Sequence, residues 1–485
     1  MLNKLKVKVK KKIIRKHHNT RKINKNNHIT DYIKEELLNS TTHGLPYTVN
    51  PNIPLIERIF WIISFSGSVV LLSILLSAQY TRYIESPTVM SIEMNYFDWN
   101  ISFPAITLCP LHKTDVGLFN SLVNETLYRT GLKTDPFFWG IVSGGMDNLN
   151  ILYLNIPENV SALVPPQNYS RLAAELFRKF PNNSLTTNTN WSIPLETAMT
   201  EVGMCHVINS NVAVYDNPIK WGRKAEYTKT NIELTIYEGD FLAQITNYSI
   251  NYKVYIHHPD ELVLSTSPSF TFDVEGTVTF GLSVWSTRIA EELRPKSTLL
   301  RKCRFVNEPL SKRYPVYSYN HCILECRIGI IIQLCGCVPH FYKPLGNERV
   351  CSINELECVL KYKKEIMSLT IPNYILRIFK HSKKLTKSPR DCGCLSNCET
   401  DIYHKDNEVY IFEKSIGRLQ MGITKFPKIR VVRDIIFNLN DIFLRSGGVI
   451  NLFIGSSIIS MVELVLFLIK LFIKITIALY DHLKM

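Results

Sequence analysis

The chain has no acidic residue before Asp31, no internal repeat and no low-complexity linker. The first absence concentrates charge. Lys4, Lys6, Lys8, Lys10, Lys11, Lys12, Arg15, Lys16, Arg21, Lys22 and Lys25 stand unopposed, and only +3 of the net +14 belongs to the other residues. A basic arm suits nucleic acid or an anionic membrane. The apolar helix that follows shortly after decides for the membrane, so membrane lipid is an expected partner and nucleic acid is not. Without a linker, the 485 residues offer no second domain boundary between their two apolar runs. A metal-ligand set is also missing: Cys335-x-Cys337 and Cys392-x-Cys394 have one intervening residue where zinc sites use two to four, and no histidine completes them. Neither a metal nor any cofactor is expected. Catalytic chemistry has little to rest on, since His257, His258 and Asp260 fall in a turn-like His-His-Pro-Asp stretch that reads as solvated surface. No enzyme is expected.

Charge is absent again from Ile59 to Ala78, a run of twenty residues, which is what a helix needs to cross about 30 Å of hydrocarbon. A cleaved signal peptide would have a shorter apolar core close to the N-terminus. A second run, Val449 to Ile469, ends against Lys470 and Lys474 and contains Asn451, Ser456, Ser457, Ser460 and Glu463. Basic residues stay on the cytoplasmic side of a span. The arm with Arg58 places the N-terminus there, and Lys470, Lys474 and Lys484 place the C-terminus there. The expected organisation is a cytoplasmic segment 1–58, transmembrane helix 59–78, extracellular domain 79–448, transmembrane helix 449–469 and cytoplasmic tail 470–485, in the plasma membrane.

The twelve cysteines fit that topology, ten of them between Cys303 and Cys398, because an even count outside a membrane points to disulfides. Seven N-x-Ser/Thr triplets, at Asn100, Asn124, Asn159, Asn168, Asn182, Asn190 and Asn247, point to a glycosylated face. Within this domain Ile232 to Tyr237, Tyr252 to Ile256 and Ser269 to Leu282 read as strands. Tyr319 to Leu334 reads as a helix with Cys322 and Cys326 on one face. The fold class is therefore a membrane protein with two transmembrane α-helices flanking a large disulfide-rich α+β extracellular domain.

A carboxylate inside a span faces water or a partner. On a continuous helix Ser456, Ser460 and Glu463 share one stripe, which suits a pore lined by several copies of the helix; an interhelical hydrogen bond is the plainer reading. Gly455-Ser456-Ser457 favours the pore, because glycine allows backbone carbonyls to turn toward an ion.

His43-Gly44 ahead of the first run, Phe103-Pro104-Ala105-Ile106-Thr107-Leu108-Cys109 after it, Arg301-Lys302-Cys303-Arg304-Phe305 with Glu308, Tyr319 through Pro339, Cys392-Gly393-Cys394 with Cys398, and Gly447-Gly448 leading to Leu452 through Ser457 and Glu463 follow in order. In this order the chain resembles the degenerin and epithelial sodium channel family, in its insect pickpocket branch. The resemblance implies a homo- or heterotrimer with sibling subunits, passing sodium ions through a voltage-insensitive, amiloride-sensitive pore opened by an extracellular chemical or mechanical stimulus, in a sensory or epithelial role. It implies a selectivity filter at Gly455, Ser456 and Ser457, pore-lining Ser460 and Glu463, and gating roles for His43, Gly44 and Leu444. It also implies six disulfides: Cys109 with Cys205, Cys303 with Cys398, Cys322 with Cys394, Cys326 with Cys392, Cys335 with Cys358, and Cys337 with Cys351. Asn451 and Leu444 stand where the family carries a glycine and a small residue, so Leu444 bears on blocker access. The acid-sensing branch has a tryptophan where this chain has Arg301, which argues against proton gating. The competing reading from another class is a two-span glycosylated scavenger-type receptor binding lipid.

Overall fold

The computed structural model describes residues 30–483 apart from 86, 153–154, 183, 189–192, 223–226, 230–231, 239–240, 247, 249–250, 274, 371–391, 413–416 and 437. The basic arm, Lys484, Asn190 and Asn247 lie outside them. The chain forms two units, one from Met1–Val89 with Ile435–Met485 and one from Met90–Asp434.

In the first unit a helix through residues 30–38 is followed by a short helix, Leu45–Val49, and by the 31-residue helix Leu55–Glu85. The long helix has a mean hydropathy of 2.4 in its most apolar window, and only Leu72 along it is buried. An apolar surface left this bare in the chain is suited to lipid. The helix outruns the charge-free stretch 59–78 because backbone hydrogen bonding continues into the flanking Arg58 and Tyr80–Glu85. The second run differs from its sequence reading. Instead of one helix over 449–469 the structure has Leu439–Ile454 and Ile458–Leu483, meeting at 76° across Gly455–Ser457. Only together do these two pieces have the length and apolarity of a span. At the base of this unit Tyr32 stacks on Phe467 with centroids 6.3 Å apart, and the Lys474 ammonium lies 3.1 Å from the Tyr32 ring centre.

Among the described residues the second unit contains two large sheets, two short strand pairs and a helical layer. The larger sheet runs in the order Thr88–Glu93, Arg430–Ile435, Thr277–Ile289, Arg418–Lys425, Phe241–Thr246 and Leu185–Thr187, and Thr400–Ile411 pairs antiparallel with the long central strand. The smaller sheet is antiparallel: Phe270–Phe272, Tyr252–His257, Ala105–Pro110, Gly203–Ile208 and Leu195–Thr200. Every residue of Ala105–Pro110 and Gly203–Ile208 is buried, so these strands lack the in–out alternation of a half-exposed sheet. Phe103, Ile106, Leu108, Phe280, Leu419 and Met421 form the core between the sheets. A second core of Phe137, Ile141, Tyr169, Ile328, Ile331 and Phe341 joins the helices.

Two strand readings change. Ser269 to Leu282 divides at Gly276 (φ 126°) into Phe270–Phe272 and Thr277–Ile289, which belong to different sheets. Ile232 to Tyr237 shrinks to Glu233–Leu234 followed by a tight turn. Helix Tyr319–Cys335 begins where the Ser318 side chain accepts the His321 N–H and ends at Gly336 in the left-handed region. Cys322 and Cys326 lie on one face of it and bond to Cys394 and Cys392. The other pairs are Cys335–Cys358, Cys337–Cys351, Cys109–Cys205 and Cys303–Cys398. These are the pairs that the resemblance implies. Cys109–Cys205 clasps neighbouring strands of the smaller sheet, and Cys303–Cys398 closes the short parallel pair Cys303–Arg304 with Ser396–Asn397.

Candidate ion-pathway site

Helix Leu439–Ile454 starts on a reciprocal cap, in which the Asn438 side chain accepts from the helix and Asp441 accepts the Asn438 N–H at 3.1 Å. It ends at Gly455, whose φ of 59° is a left-handed conformation that costs little only without a Cβ. The Gly455 N–H donates to Asn451 O at 2.9 Å. Two residues on, the helix restarts: Ser457 Oγ accepts the Ser460 N–H at 3.2 Å, and Ser460 Oγ accepts the Ser457 N–H at 3.3 Å. The Gly-Ser-Ser triplet is thus a C-cap and an N-cap back to back. Ser456 sits in the break rather than on a helix, so the stripe reading of Ser456, Ser460 and Glu463 is replaced by another arrangement.

The segment before the first long helix supplies that arrangement. Its Gly44 has φ 85°, again a glycine conformation, with Phe65 and Trp61 3.6 and 3.8 Å from where a Cβ would stand. Tyr47 stacks on Trp61 at 4.8 Å. The turn at Gly44 brings residues 41–43 against the break. His43 N–H donates to Ile454 O at 3.2 Å, taking one of the carbonyls that a helix end leaves without an internal partner. A Cβ on Gly455 would overlap the His43 ring, with Cγ at 2.7 Å and Cε1 at 2.9 Å. Ser456 Oγ donates to Thr42 Oγ1 at 3.3 Å. Thr41 Oγ1 lies 2.6 Å from Glu463 Oε2 and 2.9 Å from Ser460 Oγ. A hydroxyl has one proton to give, and the carboxylate is the stronger acceptor. Thr41 therefore donates to Glu463 and can accept from Ser460. Ser456 and Ser460 are buried by these contacts, and Ser457 is exposed.

His43, Gly44, Gly455, Ser456, Ser460 and Glu463 therefore meet, while Leu444 stays apart from them, 74% exposed on the preceding helix. The sequence reading passed over Thr41 and Thr42. Their signal was a hydroxyl run, Ser40-Thr41-Thr42, matching the hydroxyl run Ser456-Ser457 with Ser460. In the other unit Asn100, Asn124, Asn159, Asn168 and Asn182 are exposed. His257, His258 and Asp260 are not the solvated surface expected of them. His258 and Asp260 are each 8% exposed, Asp260 accepting from Asn211 and the Tyr227 hydroxyl at 2.7 and 2.9 Å. Burial pushes His257 down to about 4, and its ring bridges Thr107 Oγ1 and His258 O.

Arg301, the departure from the acid-sensing pattern, is buried. It donates to the carbonyls of Arg294 and Lys296, each at 3.1 Å, and pairs with Glu308. Burial opposes ionisation of Glu308, but the Arg301 guanidinium and the Phe305 N–H hold its carboxyl below the usual range.

The model of the family described as "Amiloride-sensitive sodium channel" matches residues 37–467, a span that includes the whole of this site. Pickpocket protein 28 of Drosophila melanogaster is 23% identical over 483 residues, covering 88% of this chain and 76% of that protein. Sodium channel protein Nach of the same species is 23% identical, with 88% and 84% covered. Acid-sensing ion channel 1C of Danio rerio is 23% identical, with 88% and 81% covered.

Proposed function

Because this chain belongs to the amiloride-sensitive sodium channel family and is a sodium channel subunit, we propose that its Gly455–Ser457 break is the selectivity filter, closed from one side by the segment Thr41–Gly44. The observation that carries this reading is the junction of helix ends at Gly455. Helix caps turn backbone carbonyls and serine hydroxyls out of the helical ladder, where they can replace the water around an ion. Glu463, in the second turn of the restarted helix, supplies a negative charge beside that path. The bent helices together form the second span, both termini are cytoplasmic, and the cysteine-rich unit is extracellular, where its exposed sequons can be glycosylated.

Assembly with sibling subunits is the family's habit, and the reading here is a trimer. Its support is two groups of exposed apolar residues on the outer strand Thr400–Ile411 and its neighbour, Trp285 (65% exposed) beside Ile402 at one end and Val409, Tyr410 and Ile411 at the other. Exposed large apolar side chains grouped in this way are what a partner covers in stable assemblies. Family membership removes the two-span scavenger-receptor reading.

The test is expression in oocytes, alone and with sibling subunits. A sodium-selective current whose Na⁺ to K⁺ permeability ratio changes in Gly455→Ala or Ser457→Ala is the expected result. Robust surface expression with no current under peptide, salt, acid or mechanical stimuli, in every sibling combination, would overturn it. Amiloride added to the same cells reads whether Leu444 permits block.

A further inference from the structure

Away from the ion-pathway site, the Met90–Asp434 unit holds a cleft of ≈ 840 Å³ between strand Ile101–Ser102, the turn at Arg294–Lys296 and the segment Cys303–Glu308. Its volume is that of a small-molecule site. Six cations line it, and four are matched with carboxylates. Lys229 meets Glu233 at 2.6 Å, Arg288 meets Asp401 at 2.7 Å, Arg294 meets Glu399 at 2.5 Å, and Arg301 meets Glu308. Asp260, also on the wall, is held by Asn211 and Tyr227.

Two cations are left over. Lys296 has no carboxylate partner among the described residues. Arg304 lies over the Tyr317 ring, 5.5 Å from its centre, and gives one Nη1 hydrogen bond, 3.4 Å long, to Glu308 O; it has no carboxylate of its own, and its buried Nε has no hydrogen-bond partner. The Glu308 carboxylate nearby is already taken by Arg301. A buried guanidinium nitrogen with nothing to donate to costs free energy that a ligand oxygen would recover. The planar fork of Arg304 suits a carboxylate. Beside these two cations the wall is apolar, made by Phe305, Val306 and Pro295. Phe305 is held by the Arg294 and Arg301 guanidiniums at 5.3 and 4.7 Å from its ring centre.

We propose that this cleft binds a small monocarboxylate, its head group between Arg304 and Lys296 and its apolar body on Phe305 and Val306. The site goes beyond the pore reading and makes no use of the pore residues.

Equilibrium dialysis of radiolabelled hexanoate against the full chain in lipid nanodiscs tests it, with empty nanodiscs subtracting lipid partition. Saturable binding is expected, weakened at least tenfold in Arg304→Gln and severalfold in Lys296→Gln, with hexylamine not retained and inorganic phosphate a poor competitor. Binding unchanged in both variants, equal retention of hexylamine, equal competition by phosphate, or no saturable binding would each overturn the proposal. Should Arg304→Gln fail to fold, Lys296→Gln, which removes no described ion pair, decides. The measurement needs no current, so a channel that stays silent in oocytes and still binds hexanoate separates the two readings.

Discussion

Thr41 is a residue whose contacts only the structure reveals. Its hydroxyl reaches Glu463, 422 positions away, at 2.6 Å, and a hydrogen bond to a charged acceptor contributes about 1.5–3 kcal/mol. Thr41→Val is therefore expected to loosen the segment on the break, changing open probability by roughly tenfold while leaving surface expression intact. Single-channel recording checks it. In Glu463→Gln the same substitution should have a smaller effect, since the charged acceptor is gone; equal effects in both backgrounds would show that the two side chains are not coupled. Arg301 tests a different physical point. Its side chain is buried among two carbonyls and a partly exposed Glu308, so Arg301→Ala leaves two carbonyls without their donor and is expected to cost about 1–3 kcal/mol. Arg301→Lys should rescue little of this, because an ammonium does not reproduce the fork. Chemical denaturation of the purified chain reads both values.

Among the elements, helix Tyr319–Cys335 carries three of the disulfide cysteines and places its apolar face in the helical core. The Cys335–Cys358 bond closes a loop 23 residues long at the end of this helix. Replacing both cysteines with serine is expected to destabilise the unit by about 3 kcal/mol, mainly by freeing the unfolded chain. Faster tryptic cleavage at Lys361 and Lys363 would register the change; an unaltered digestion rate would mean that packing alone fixes the helix end. The strands show where local reading stops. A run such as Ser269 to Leu282 has strand composition throughout, yet Gly276 lets the chain turn from one sheet to the other. Alternation identified Tyr252–His257 well, because its neighbours on both sides are strands of the same sheet.

At the scale of the molecule, the buried His206 and His340 and the half-buried His257 tie stability to pH. Burial lowers His206, His257 and His340 from 6.5 to about 4. His206 and His340 each donate one ring N–H to a carbonyl and keep the other nitrogen buried and unpaired, a neutral arrangement. With folded values below unfolded ones, the stability they contribute is complete above pH 6.5 and is lost as pH falls toward 4. Thermal melts across that window should show a falling midpoint, on the order of 1 kcal/mol or more per histidine. His340→Gln, retaining a donor toward Ile141 O, should flatten the fall. A midpoint constant from pH 7 to 4 would contradict the assignment.

The sequence by itself determined the long apolar first helix, the sequons and, through ordered short motifs, the family with its six cysteine pairs. Those properties are local or compositional: length, charge and spacing hold whatever the rest of the chain does. Tertiary structure decided what periodicity does not encode. The second apolar run, read as one helix, breaks because Gly455 takes a left-handed turn and Ser457 caps a new start. Asp260, polar enough to read as surface, is buried because Tyr227 and Asn211 satisfy it, and His258 beside it is buried with its Nδ1 accepting the Asp260 N–H. Thr41 and Thr42 find their partners only where the chain folds back on Ser456, Ser460 and Glu463, contacts between residues more than four hundred positions apart. A hydrogen bond depends on distance and angle in space, and no pattern along the chain fixes either.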